Sequence, residues 1–310
     1  MANTPREQAQ VVPPGVTTDD YEVVLVTYHS RDQLEGLLDA VRPDQRIVVV
    51  DNGSGVDDVG ELLEPFDRAR LLDGQNVGFA RAATLGAMTS DAEYVIFANP
   101  DSRPTPEIWD ALVRDLRDDP GLGSVAAATT SPTGEIELGV GGWEPSPRRV
   151  FVYAFGLHLL FPRAGVYAKP RPGEDIQLDW ITGACLAVRR EVFAELGGFD
   201  GSFFVYNEDM AFGRSLREAG YRQRLRTDLL VPHATSGSGG GTRMPQQKGA
   251  SMSQYLVTRH GRIAATFMRG CLATGSLLRA GVAAVTRRPS RAHHVAYAKG
   301  IVTQRSPYKP

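Results

Sequence analysis

From Tyr21 onward the sequence alternates short apolar runs, rich in β-branched residues, with stretches of helical spacing, and few folds accommodate that rhythm. YEVVLVTYHS (21–30) reads as a buried strand. Ser30 and Gln33 then form a capping-box pattern ahead of a stripe of Leu34, Leu37, Leu38 and Val41. RIVVVDNGS (46–54) predicts a second strand ending in turn residues, ARLLDG a short third, and NVGFARAATLGAMTS a turn opening a helix. EYVIFANPDSRP (93–104) predicts a fourth strand that ends in an acid and two prolines. Strands alternating with helices imply a mostly parallel sheet covered on both faces, and such sheets bind ligands beyond the carboxyl ends of their strands. The polar residues collect at that edge: 27–30, 51–54 and 99–102.

Past Pro120 the alternation loosens. GSVAAATT reads as another strand, and SPTGEIELGVGGWEPSPRR as a hairpin or an exposed loop. VFVYAFGLHLLF (150–161) is too short to span a bilayer and is a core element or an apolar wall. WITGACLAVRREVFAELGGFD reads as a strand with its helix, and LRTDLLVPHATSGSGGGT as a last strand running into a flexible glycine- and serine-rich loop. Between them, FFVYNEDMAFGRSLREAG (203–220) sets Glu208 and Asp209 where an apolar run gives way to a helix marked by Phe212, Gly213 and Leu216, with Gly220 suited to closing it. Acids at a helix start stabilise its unpaired N–H groups, and that structural role competes with a catalytic one.

Composition excludes several classes. With 310 residues, 42% hydrophobic and 23% charged, the chain can bury a full core. Its two cysteines, Cys185 and Cys271, give no metal cluster and no disulfide framework, which favours a reducing cytoplasm. Residues 1–20 are polar and proline-bearing and read as a flexible leader. The net charge of -2 hides an asymmetry: no Asp or Glu follows Asp228, while 12 Lys and Arg do, so a basic extension (241–310) follows an acidic body. Within it, residues 263–286 are strongly apolar but interrupted by Arg269 and Arg279. They predict one or two helices lying on an anionic membrane surface or docked on the body, as against crossing a bilayer, and a solvated helical tail or a dimer contact is equally consistent. There is no GxGxxG fingerprint, no phosphate-binding P-loop and no Ser-His-Asp or Cys-His arrangement.

Several strand-end residues have both a structural and a chemical reading. Asp101 in NPD is a turn-former or an oxygen ligand for Mg or Mn on a diphosphate, since such ions take only one or two protein carboxylates. His233 in VPH is structural or a second ligand. Asp51 in VVVDNGS is a turn residue or an acceptor for the N3–H of a uracil or thymine ring, which Thr27 and Tyr28 on the neighbouring strand could help to hold. The turn NVGFA resembles a backbone cradle.

Taken in order, VVLVTYHS, VVVDNGS, NVGFARA, ANPD, WITGACLAVRREVFAELGGFD, FFVYNEDMAFGRSLREAG and PHATSGS resemble glycosyltransferase family 2, in particular its rhamnosyltransferase-like members, over about residues 21–238. The resemblance implies a GT-A fold: a Rossmann-like, mostly parallel central sheet flanked by helices, here with the basic helical extension. Residues 21–120 would form the nucleotide-sugar half and 121–240 the acceptor and catalytic half. It further implies a sugar-nucleotide donor, a divalent metal (Mg or Mn) and inversion at the anomeric carbon. Carried over, Thr27, Tyr28, Asp51, Asn76, Gly78 and Asn99 bind the donor, Asp101 and His233 hold the metal, Trp180 and Gly183 lie on the acceptor side, and Asp209, with Glu208 beside it, is the general base. NPD stands where the family often has Asp-x-Asp, with Asn99 replacing the first acid.

The leading expectation is therefore an inverting transferase using dTDP-rhamnose or a UDP-hexose. The basic extension and residues 150–161 point to a lipid-linked saccharide acceptor at the inner membrane face, with no nucleic-acid partner. A soluble small-molecule acceptor, a sugar-nucleotide-binding module without turnover, and a nucleotidyltransferase are the competing readings. The last lacks its glycine-rich loop near the first strand.

Overall fold

A computed structural model describes residues 15–56, 58–234 and 241–308. The serine- and glycine-rich loop and most of the expected leader lie outside the described residues. Just ahead of the first strand, the Thr17 N–H donates to the Asp20 carboxylate, which pairs with Arg117, so the chain is anchored before Tyr21.

The first half alternates as its periodicity requires: β1 (Tyr21–Thr27), α1 (Arg31–Leu38), β2 (Ile47–Asp51), α2 (Val59–Leu63), β3 (Ala69–Asp73), α3 (Phe79–Met88), β4 (Tyr94–Ala98), α4 (Pro106–Asp118) and β5 (Leu122–Thr130). β2 and β4 are buried along their whole length, as expected for unbroken apolar runs with helices on both faces. The capping box does not form. Ser30 precedes α1 but makes no side-chain cap; its hydroxyl instead lies 2.8 Å from that of Thr27, because the chain turns tightly at the end of β1.

The second half is less regular: β6 (Gly141–Gly142), α5 (Pro147–Ala154), a 3-10 turn (Leu157–Leu159), β7 (Asp175–Leu178), β8 (Trp180–Ile181), β9 (Cys185–Arg189), α6 (Arg190–Glu195), α7 (Glu208–Glu218) and β10 (Arg222–Pro232). Residues 150–161 divide between α5 and the turn, with Val150 and Ala154 buried while Phe151, Phe155, Leu159, Leu160 and Phe161 are exposed. They act as the apolar wall more than as core. α7 closes at Gly220 (φ +88°), a left-handed backbone that glycine adopts without steric cost.

The main sheet has the order β3-β2-β1-β4-β9-β5-β10-β7. β9 runs antiparallel between β4 and β5, and β7 runs antiparallel along β10; the remaining neighbours pair in parallel. The chain steps outward from β1 through β2 to β3, then returns to place β4 on the other side of β1. That reversal opens a crevice beyond the ends of β1 and β4.

One face of the sheet packs on α1, α2 and α4, and the other on α3, α6 and α7. A third cluster joins α5 and α7 to three C-terminal helices, α8 (Arg243–Arg259), α9 (Arg262–Val285) and α10 (Arg291–Thr303). The basic extension is thus docked on the body. None of the described helices is long and apolar enough to cross a membrane.

Candidate active site

The crevice is assembled by backbone pairing between segments far apart in sequence. Arg103 N–H donates to Pro232 O at 2.8 Å and Ala234 N–H to Asp101 O at 2.9 Å. This lays the turn after β4 against the end of β10 and brings His233 Nε2 to 3.1 Å from Asp101 Oδ1. His233 Nδ1 lies 2.9 Å from Glu137 Oε2, which also accepts from the Thr129 hydroxyl at 2.7 Å.

This arrangement permits a test of the metal expectation. If the Nδ1 hydrogen is given to Glu137, a neutral His233 turns its Nε2 lone pair toward the Asp101 carboxylate, so two acceptors face each other at 3.1 Å. A proton or a cation between them resolves the conflict. In the absence of a cation the proton is favoured: burial opposes the imidazolium, yet the Asp101 and Glu137 carboxylates outweigh it and hold His233 above its usual range. Carboxylate oxygen plus imidazole nitrogen, with an outer carboxylate orienting the ring, is a donor set that suits a divalent ion. Among the described residues no group of three His, Cys, Asp or Glu converges into a closed cage. An open pair fits an ion that fills its remaining positions with phosphate and water.

The residues expected to bind the donor lie at the ends of β1 and β2, after β4 and in the turn before α3. Thr27 is fully buried, and Tyr28 is exposed with its ring 4.3 Å from that of His29. Asp51 accepts from the Gly53 and Gly55 N–H groups, one on each oxygen, so its carboxylate already organises its own turn. Asn99 donates its backbone N–H to Ala184 O and accepts at its own O from the Ser102 hydroxyl, tying β4 to the approach to β9. Asn76 is exposed and Gly78 buried, both at positive φ (53° and +86°). A side chain at Gly78 would meet Phe204 O at 2.4 Å, and the next residue, Phe79, donates its N–H to that same carbonyl at 2.7 Å. The NVGFA turn and the FFVYNED segment are therefore locked together. Asn52, absent from the expected site, holds the other side of the turn by accepting from Val77 N–H at 3.0 Å.

The acidic pair opens α7. Tyr206 and Asn207 precede it, both left-handed at φ 69°, and two consecutive non-glycine residues in that region are strained. Glu208 is buried with Oε2 lacking a partner, while Asp209 is half-buried and accepts at Oδ1 from the Met210 N–H at 2.7 Å. The helix N-terminus favours charge here, by roughly 0.3–1 kcal/mol. Burial wins. It pushes Asp209 up to about 6, and burial together with the Asp209 charge pushes Glu208 up to about 8.

Tyr206 lies within electrostatic reach of both Glu208 and Asp101. Burial first, and then the charges of Glu208, Tyr308 and Asp101, raise its hydroxyl, so both acids lie within electrostatic reach of one phenol. On the far side, Trp180 is buried in β8 with its indole N–H unpaired, edge-on to Tyr167 at 5.6 Å. The Asp209 charge is also among the causes that raise the buried Tyr167 hydroxyl, after burial itself and the Tyr153 and Tyr297 hydroxyls. Gly183 faces the Phe79 ring, which a Cβ would meet at 3.9 Å, so the space there is open.

Lys248, from α8, was not among the expected site residues. Its ammonium sits 4.9 Å from the centre of the Tyr206 ring and interacts with Glu137. It keeps solvent contact, yet the surrounding protein draws it below the usual lysine range against the pull of Glu137. Glu137 and Lys248 carry no local motif, so only their convergence on His233 and Tyr206 marks them.

A helix-flanked, mostly parallel sheet with a carboxylate–imidazole pair and an acidic pair beyond its strand ends has the architecture of the GT-A fold. Comparison with known proteins narrows the class. The family model for glycosyl transferase family 2 matches residues 22–197, and the chain belongs to that family. It is 32% identical over 231 residues, 66% of this chain and 72% of the relative, to N-acetylglucosaminyl-diphospho-decaprenol L-rhamnosyltransferase of Mycobacterium tuberculosis. It is 25% identical over 203 residues, 63% of this chain and 60% of the relative, to the low-salt glycan biosynthesis hexosyltransferase Agl10 of Haloferax volcanii. Among solved structures, the mannosyltransferase PcManGT of Pyrobaculum calidifontis, in complex with GDP-Man and Mn2+, aligns with a TM-score of 0.57 at 17% identity, covering 92% of this chain and 85% of that one. GalNAc-T7 with UDP, GalNAc and Mn2+ aligns with a TM-score of 0.51 at 12% identity, covering 87% and 58%. The last two share the fold.

Proposed function

We propose that this glycosyltransferase moves rhamnose, or a related hexose, from a pyrimidine nucleotide-sugar to a hydroxyl of a lipid-linked saccharide, with inversion at the anomeric carbon. What supports the reading is that Asp101 and Glu208 both lie within electrostatic reach of the Tyr206 phenol, with Asp209 next to Glu208 in the first turn of α7. An in-line displacement needs a proton acceptor at one end and charge stabilisation at the other, and this crevice offers both. The rhamnosyltransferase relative supports the donor sugar and the acceptor class.

In this mechanism Asp209, the less buried of the two acids, takes the proton of the acceptor hydroxyl as it attacks the anomeric carbon. The unpartnered Trp180 indole N–H and Glu208 Oε2 orient acceptor hydroxyls, which relieves the cost of leaving two buried polar groups unpaired. Thr27, Tyr28 and Asp51 hold the base, and the turn at Asn76 to Gly78, with Asn99, lines the sugar. Asp101 and His233 would hold a divalent ion, which when bound offsets the charge developing on the leaving nucleoside diphosphate. Lys248 adds a cation on the same side.

The test is transfer from a panel of dTDP- and UDP-sugars by wild type, Asp209→Asn and Glu208→Gln. Asp209→Asn should lose about 10²–10⁴-fold in kcat with donor affinity little changed. Glu208→Gln should chiefly raise the acceptor KM. Equal rates for wild type and Asp209→Asn would reject Asp209 as the base. Donor binding without turnover for any acceptor would favour a binding module.

A further inference from the structure

α9 presents an outward face with no charge along its whole length: Ile263, Phe267, Leu277, Leu278, Val282 and Val285 are exposed, the first and last at 89% and 85%. The two arginines that break the apolar run in sequence do not break this face. Arg269 turns aside to donate to the carbonyls of Ile301 and Val302 at the end of α10, and Arg279 donates to Ala154 O at the end of α5. Both cap helix C-termini, which leaves the outer strip bare. Beyond Arg262 at its start, the exposed polar side chains of α9 are only the hydroxyls of Thr266 and Thr274, where a solvated surface helix would carry charged ones.

The strip continues onto a second element. Gly275 of α9 packs on the Ala154 backbone, where a Cβ would meet Ala154 O at 2.2 Å, so α9 and α5 are in backbone contact. Phe151 and Phe155 flank Ala154, and beyond them Leu159, Leu160 and Phe161 are 68%, 74% and 61% exposed. At that tip an open hollow of about 700 Å³ is lined by Leu160, Phe161 and Pro162 together with Arg148, Arg149 and Arg163. Exposed Arg262 and Arg287–Arg288 bracket the two ends of α9, and no Asp or Glu occurs after Asp228.

We infer that the α9 strip and the tip at 157–163 form one monotopic face that beds into the headgroup and acyl boundary of a bilayer containing anionic phospholipid. An apolar band rimmed by arginine matches that interface, with the side chains entering the acyl edge and the guanidinium groups meeting phosphate. A second copy of the chain is a poorer occupant, because mutual burial of this face would set arginine rim against arginine rim. The inference rests on the lipid-linked acceptor proposed above and adds the route by which the acceptor is reached. Tyr153 of α5 packs on Tyr167, with ring centres 4.9 Å apart, and the Asp209 charge reaches the Tyr167 hydroxyl.

The full-length protein is sedimented with vesicles of phosphatidylglycerol and phosphatidylcholine, and with pure phosphatidylcholine, at low and high salt. The expected result is binding to the anionic vesicles that weakens with salt, at least tenfold weaker for Leu277→Asp with Val282→Asp and for Arg287→Glu with Arg288→Glu. The Leu160→Trp protein should show a blue-shifted emission on anionic vesicles alone. Thermal melting checks that the variants fold; all these positions are exposed. Equal binding by wild type and the Leu277→Asp, Val282→Asp variant, or no binding by wild type, overturns the inference. So does a dimer in solution that the same double variant dissociates while vesicles are ignored. Sugar transfer to a soluble acceptor analogue separates this from the proposed function: transfer without vesicle binding removes only the membrane face, and vesicle binding without transfer removes only the activity.

Discussion

Glu208 and Asp209 are adjacent, both in the first turn of α7, and buried to different degrees, and those facts determine how they titrate. Because burial raises both, the native state holds protons that the unfolded chain has released once pH exceeds the ordinary carboxylate value near about 4. Their contribution to stability is therefore present at acid pH and is lost as pH rises through the folded values, about 6 and then about 8. Melting temperature should fall across that window in wild type, and Glu208→Gln should flatten the fall and melt roughly a few degrees higher at pH 8. The transfer rate should move oppositely, rising as Asp209 ionises and levelling above about pH 6. A rate profile unchanged in Asp209→Asn would contradict this. Glu208 and Asp209 were legible as candidates from their place at a strand-to-helix junction. Their unequal burial was not, because it depends on the strained Tyr206–Asn207 turn and on the packing of α7 against β8.

At the scale of elements, the C-terminal helices belong to the site more closely than their composition suggests. α8 and α10 cross at glycine: a Cβ at Gly249 would sit 2.2 Å from Tyr297 O, and one at Gly300 would sit 2.0 Å from Gln246 O. Both obstacles are backbone atoms that cannot swing away. Gly300→Val should therefore cost about 1–3 kcal/mol, read as a lower denaturation midpoint. It should also reduce transfer, because α8, against which Gly300 packs, carries Lys248 beside Tyr206 and Met244, whose sulfur accepts the Tyr206 hydroxyl at 3.8 Å. Lys248→Ala should raise the donor KM without lowering stability by a comparable amount. Sequence periodicity reads the extension as basic and helical, and its apolar residues as a surface for membrane or body. Which side chains face which partner is set by the glycine contacts, and those need both helices in place.

The molecule as a whole couples the two halves of the sheet through the Asp101–His233–Glu137 chain, whose members come from the segments after β4, after β10 and after β5. Mn2+ together with a nucleoside diphosphate should raise the melting temperature, since a ligand at 100 times its Kd contributes about 2.7 kcal/mol to the native state. His233→Ala should remove that rise, and Glu137→Gln should weaken metal affinity about 10–100-fold while leaving the apo protein folded. An undiminished shift in His233→Ala would place the ion elsewhere.

Local pattern alone was enough to determine the strands β1 to β4, the helices α1 and α3, and the edge of the sheet where polar residues gather, because periodicity and turn chemistry act over a few residues. Tertiary structure alone decided the antiparallel insertion of β9, the recruitment of Glu137 and Lys248, the failure of the Ser30 cap, and the inward turn of Arg269 and Arg279. Each of these depends on groups separated by tens of residues or more whose partners exist only after packing, and a contact of that kind leaves no periodic trace in the chain that makes it.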